Sequence, residues 1–284
     1  MIFHEVLRPL ASSKTLLSIS TLALATGAYA ALPVLKEYSQ YREIGDSPSD
    51  VHAALSLALG WLLVFRTNAA YARWWEARSL WGNLVNATRN LAIKFKALAR
   101  MQSGDMGYLR DRLIAFPRAL TQHLRRLPFE DTTLVPAGTA HPPLAIVAQI
   151  YEWLSQRRQS MQVDGDELRI LDTDLVKLME VCGGCEKIAR TPIVRSYRVF
   201  ARQCITLFLL TFPWGIVEDF QWWTIPLTIV VAYFMLGMEI VAEHVEEPFG
   251  FDDDDLDLDG LCETIRASVE FVFQSDPNQS ETSE

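Results

Sequence analysis

The sequence predicts an all-α chain that crosses a membrane four times and carries a large helical domain on one side. Three observations predict it. Four long runs are nearly free of charge. No segment sustains the two-residue alternation of a half-buried strand. The basic residues crowd into one central stretch. Of the 26 lysines and arginines, 21 lie between Arg66 and Arg202.

The first run, Thr15–Leu35, has no charged residue and is long enough for a bilayer, which takes about 20 residues in a helix. Val51–Phe65 is shorter and also uncharged. Val199–Val217 is apolar except for Arg202 and Gln203 near its start. Trp223–Ala242 carries one acid, Glu239. The linker Gly215–Trp223 has no basic residue and holds Glu218 and Asp219 instead. Basic residues stay on the cytoplasmic side. The central segment and both termini are therefore expected in the cytoplasm, and the chain in an inner membrane as a multi-pass protein.

This divides the chain into an N-terminal arm at 1–14, transmembrane helices 1 and 2 at 15–65, and a cytoplasmic helical domain at 66–198. Transmembrane helices 3 and 4 follow at 199–245, and an acidic segment and tail at 246–284. In the domain, a helix is expected to run on from the membrane over 66–101, because no proline or glycine interrupts Trp61–Leu80. Met101–Met106 breaks it. Further helices are expected at Tyr108–Leu124, Ala145–Arg158 and Asp172–Ala189. Leu127–Pro143 reads as a loop by its prolines and glycine. The polar tail Gln274–Glu284 is expected to be disordered. A net charge of −9 argues against a nucleic-acid partner. The cysteines do not form a disulfide framework.

Leu57, Trp61 and Phe65 recur every four residues and so share one helix face. Such a stripe serves lipid contact or core packing. It also serves as a dry constriction when several copies surround an axis, gating by dewetting. Arg73-Trp74-Trp75-Glu76 and Arg78 suit a membrane boundary, where tryptophan settles and arginine pairs or stacks.

The same region resembles the bestrophin family. The resemblance lies in Arg66, Asn68, Tyr71, Arg73, Trp74, Trp75, Glu76, Arg78 and Trp81. It continues at Cys185-Glu186-Lys187-Ile188 with Thr191-Pro192, and at Glu246-Glu247-Pro248-Phe249-Gly250 with the acidic run behind it. It implies a homopentameric ion channel with four membrane helices per subunit around one axial pore. Its partners are then membrane lipid and permeant monovalent ions, with chloride the usual choice in the family and cation selectivity the rival. It places the pore neck at Leu57, Trp61 and Phe65, with Trp61 departing from the usual isoleucine or phenylalanine. It places a cytoplasmic aperture near Ile170, with Leu171 and Leu175 as rivals. No cofactor is required. The resemblance allows a calcium clasp with side chains from Asp252 and Asp255 and helix-end positions at His244 and Glu247. Calcium takes six to eight oxygens, usually from a loop, and a solvated acidic linker is the alternative.

Two readings compete with the channel. Asp253-Asp254-x-x-Asp257 matches the DDxxD pattern of prenyltransferases, which need a second acidic motif; Asp164–Asp174 is a poor one. A membrane adaptor is the other. The chain is read as no enzyme. Cys182-Gly183-Gly184-Cys185 lacks the partner ligands of a zinc site and the βαβ context of a redox site. His4, His52, His123 and His141 show no ligand spacing.

Overall fold

The computed structural model describes residues 14–40, 49–98, 103–252 and 254–274. Among them there is no strand. Eight α-helices follow one another: α1 (Lys14–Glu37), α2 (Ser49–Leu98), α3 (Ser103–Leu124), α4 (Pro142–Gln159), α5 (Gly165–Arg190), α6 (Arg195–Phe220), α7 (Thr224–Glu246) and α8 (Leu258–Gln274). A short 3₁₀ turn, Gln221–Trp223, joins α6 to α7. The N-terminal arm through residue 13 and the tail beyond Gln274 lie outside the described residues.

The chain forms two compact units. One comprises residues up to Arg73 together with Pro192–Glu246, the other Trp74–Thr191 together with Glu247 onward. The division falls eight residues beyond Phe65, because α2 continues helical across it and keeps Arg66 and Ala70 buried with the first unit. At about 1.5 Å per residue, the 50 residues of α2 extend roughly 75 Å. A bilayer core is only about 30 Å thick, so this helix is far longer than a span requires.

The first unit holds α1, the start of α2, α6 and α7. Segments long and apolar enough to cross a membrane are Thr15–Glu37, Asp50–Leu98 and Arg195–Glu246. The last contains both α6 and α7, so four helices carry the four apolar runs. Leu59, Leu63, Ile205, Phe208 and Ala232 form the unit's apolar centre. The helices α1 and α7 approach closely at Gly27, where a Cβ would lie 2.2 Å from Ile229 Cγ1. Small residues let membrane helices meet in this way. Tyr29 donates its O–H to the Leu210 carbonyl at 2.9 Å and accepts the Trp214 indole N–H at 2.7 Å.

The second unit packs α3 against α4, α5 and α8, with the end of α2. Its core includes Trp81, Phe95, Phe116, Ile150, Leu178 and Ile265. Two helix starts carry local signals. Asp164 caps α5 through the Asp166 and Glu167 amides, and Glu167 returns the bond to the Asp164 N–H. Asp257 accepts the Gly260 N–H at 2.8 Å at the start of α8. The observed α5 thus begins seven residues before the expected Asp172. The α8 helix occupies a stretch read from sequence only as acidic segment and tail.

One buried carboxylate in this unit gives a testable pH dependence. Asp174 is buried and receives Lys94 Nζ at 2.6 Å and Lys177 Nζ at 2.7 Å. Burial pushes its carboxyl up, but the two ammonium hydrogen bonds outweigh burial and hold it below the ordinary 3.8. A depressed folded-state value contributes stability above pH 3.8, which is lost as pH falls through the folded value. Asp174→Asn should therefore cost roughly 1–3 kcal/mol at neutral pH. In denaturant unfolding, the gap to the unmutated chain should close as pH drops below the carboxylate range. A gap unchanged by pH would contradict the account.

Candidate functional site

The α-helical turn of α2 aligns Leu57, Trp61 and Phe65, drifting by about 40° per four-residue step. All three are exposed in the subunit, at 67%, 61% and 59%. The Trp61 and Phe65 ring centroids lie 6.1 Å apart. Exposure of three large apolar side chains in a row excludes them from this subunit's own core. Such a row is open to lipid, to another copy of the chain or to a pore between copies.

Directly after Phe65 the helix carries a buried charge. Arg66 has no exposed surface. Its Nη1 lies 2.8 Å from Glu246 Oε2, and its Nε 3.4 Å from Glu239 Oε2. Glu239 also meets Arg202 Nε at 3.1 Å, and Arg202 Nη2 meets Glu243 at 2.5 Å. Glu246 Oε1 accepts the Ile193 N–H at 2.9 Å, while its carbonyl accepts Arg73 Nε at 3.2 Å. Glu239, Glu243 and Glu246 share one face of α7 by their spacing of four and three. The network ties α2, α6, α7 and Ile193, two residues before α6, into one arrangement beside the apolar stripe. In the sequence, Glu239 and Arg202 stand out only as charges within apolar runs. The i, i+4, i+7 acids were the available signal.

In the second unit the motif blocks meet. Glu76 pairs with Lys187 at 2.7 Å. Trp74 donates its indole N–H to the Asp254 carbonyl at 3.1 Å. Arg125 donates to the Phe249 carbonyl at 3.3 Å, pairs with Asp259 at 3.2 Å and stacks on Phe251 with its guanidinium 4.3 Å from the ring centre. Trp74 of the motif, together with Arg125, therefore holds the loop after Pro248 in place.

Ile170 is partly exposed, and its carbonyl accepts Lys94 Nζ at 3.0 Å. Leu171 and Leu175 are fully buried core residues, so of the three aperture candidates only Ile170 faces outward.

In the acidic run, Asp255 Oδ2 accepts the Asp252 N–H at 2.6 Å, and the Asp255 N–H returns to the Asp252 carbonyl at 3.1 Å. The loop spends one of its carboxylate oxygens on its own turn. Among the described residues no third acid or imidazole joins Asp252 and Asp255 within ligating distance. Asp253 lies outside the described residues. Glu247 is exposed, and in the first unit His244 Nδ1 lies 3.4 Å from Thr15 Oγ1. Several acids of the diphosphate reading are also committed: Asp257 and Asp164 cap helices, Asp172 accepts the Tyr151 O–H at 2.5 Å, and Asp174 holds two lysines.

Cys182 and Cys185 sit buried on α5, and burial pushes both thiols up to about 12. They are inert, not a redox pair. A grouping the sequence did not reveal is His123, His141 and Glu186, whose ligand atoms all lie within 4.8 Å of one another. No spacing links the three positions; only the fold of α3, α4 and α5 brings them together.

A sequence model of the family described as Bacterial/Fungal Bestrophin protein matches residues 4–271. A voltage-dependent anion channel-forming protein of Nostoc sp., alr2987, is 33% identical over 241 residues, which cover 78% of this chain and 77% of the relative. The protein YneE of Escherichia coli K12, of the same description, is 32% identical over 225 residues, covering 76% and 73%. A crystal structure of a bacterial bestrophin homologue from Klebsiella pneumoniae is similar with a TM-score of 0.83 at 24% identity, covering 90% of this chain and 99% of that chain. That likeness concerns the fold.

Proposed function

The chain belongs to the bestrophin family, in its bacterial and fungal branch, and from that membership we propose that it is the subunit of a homopentameric anion channel. It is a channel subunit rather than an enzyme. The observation that carries the reading is the row of Leu57, Trp61 and Phe65, exposed on a helix of the four-helix unit. One subunit has too few membrane helices to enclose a pore. Five copies of this face around an axis give three stacked apolar rings, a neck that is dry when closed. Ile170 is the candidate for a second constriction, at the cytoplasmic exit. The buried Arg66 network fixes α2 at the point where the neck ends.

An apolar neck favours ions that shed water readily and has no preference of sign. Anion selectivity, chloride foremost, is inferred from the relatives, which are described as voltage-dependent anion channel-forming proteins. The distribution of lysine and arginine supports an inner-membrane position with both termini in the cytoplasm. Calcium is not needed for this reading.

The test is made on purified protein. Its mass in mild detergent should be that of five subunits. In planar bilayers with asymmetric chloride salt, the reversal potential should move toward the chloride equilibrium value. A monomer or dimer by mass overturns the channel. A shift toward the cation's value overturns the selectivity and leaves the pore standing.

A further inference from the structure

We propose that His123, His141 and Glu186 form a binding site for a divalent transition-metal ion of the zinc class. The site lies wholly in the second unit and is independent of the channel reading.

His123 sits in the last turn of α3, His141 is the N-cap of α4, and Glu186 lies on α5. His123 Nε2 and His141 Nε2 both point at the same oxygen, Glu186 Oε1, at 2.7 and 2.9 Å. Their rings stack with centroids 4.4 Å apart. A simple staple between helices needs one imidazole on one carboxylate. Here two imidazoles converge on one oxygen, which is the arrangement of three ligands around a shared centre. Two histidines and a carboxylate are a zinc-type donor set, with a fourth position left for water. All three side chains are partly buried, at 17%, 27% and 19% exposure, so an ion can reach them and is still shielded. Bonds of about 2.0–2.1 Å to the metal require each nitrogen–oxygen pair to open by roughly half an ångström, within the reach of side-chain rotation.

Glu186 Oε1 is the oxygen on which both imidazoles converge. Arg190 Nη2 lies 3.6 Å from the same oxygen and is mostly exposed, so it can swing aside. His141 Nδ1 accepts the Leu144 N–H at 3.2 Å, which assigns the ring proton to Nε2 in the metal-free chain. The metal takes that proton's place at Nε2, the proton moves to Nδ1, and the ring gives up its helix-cap hydrogen bond. Binding therefore joins three helices at the cost of one cap.

The experiment is zinc titration of the full chain in detergent after chelator stripping, followed calorimetrically, with magnesium as the comparison ion. The expected result is one zinc per subunit and no magnesium heat. The double variant His123→Gln, His141→Asn should bind at least about 100-fold more weakly. It keeps an N–H toward Glu186 and a good N-cap, since asparagine caps helices well. His4, His52 and His244 remain in both proteins, so a loss localises the site. Equal affinity in the variant, or no zinc retained by the unmutated chain, overturns the proposal. A second measurement does not depend on the variant's folding. X-ray absorption at the zinc edge should report two imidazoles, and thiolate ligation or a single imidazole overturns the site.

Discussion

Replacing Arg66 by methionine lowers the stability of the four-helix unit by about 3–5 kcal/mol, the range for removing one partner of a buried ion pair. The guanidinium has no exposed surface and lies 2.8 Å from Glu246 Oε2. Methionine fills similar volume, so the loss is electrostatic rather than a cavity. Glu239 keeps Arg202, but among the described residues the Glu246 carboxylate keeps only the Ile193 N–H, on its other oxygen. A buried carboxylate without its cation is the costly state. Adding Glu246→Gln removes that charge and should restore a large part of the loss, giving a coupling of about 0.5–3 kcal/mol between the two sites. Denaturant unfolding in detergent reads both variants. An unaltered midpoint for Arg66→Met, or two losses that simply add, would show that the network does not hold the unit.

The sequence carried the membrane class because apolar runs of bilayer length are a solvent requirement, independent of partners. The continuity of α2 was legible for a similar reason: between Trp61 and Leu80 nothing favours leaving the helix. The early start of α5 was written in Asp164 and Glu167, a capping box, yet reading began at the later apolar periodicity. The α8 helix was equally legible in hindsight, with Leu258, Leu261, Ile265, Val269 and Val272 three or four apart behind a capping Asp257. The acidic run before it drew attention to charge instead of period.

For the site, the apolar stripe was readable because it is a property of one helix. The Arg66 network was not, because its members come from α2, α6 and α7 and meet only through packing. The His123, His141 and Glu186 group is the extreme case: the residues sit on three helices with no local pattern. Exposure also separates the three positions that the sequence leaves open, with Leu171 and Leu175 turned inward and Ile170 outward.

Truncating Leu57, Trp61 and Phe65 together to alanine should raise chloride flux sharply while the pentamer persists. Alanine is the best helix former, so α2 is not weakened by propensity. In the proposed pentamer, fivefold symmetry multiplies each truncation around the proposed neck. The widened neck stays wet, and removing a barrier of about 1.4 kcal/mol already raises a rate tenfold. Packing makes the opposite forecast: each large-to-small change in a close-packed core costs about 2–5 kcal/mol, and the oligomer would weaken or fall apart. The decisive measurement is chloride efflux from liposomes loaded with the triple variant, with the detergent mass of the same preparation. Efflux at least about tenfold above the unmutated channel, from an intact pentamer, is the predicted result. Unchanged efflux, from a destabilised or dissociated oligomer, would place these three side chains in a packing interface and contradict the neck.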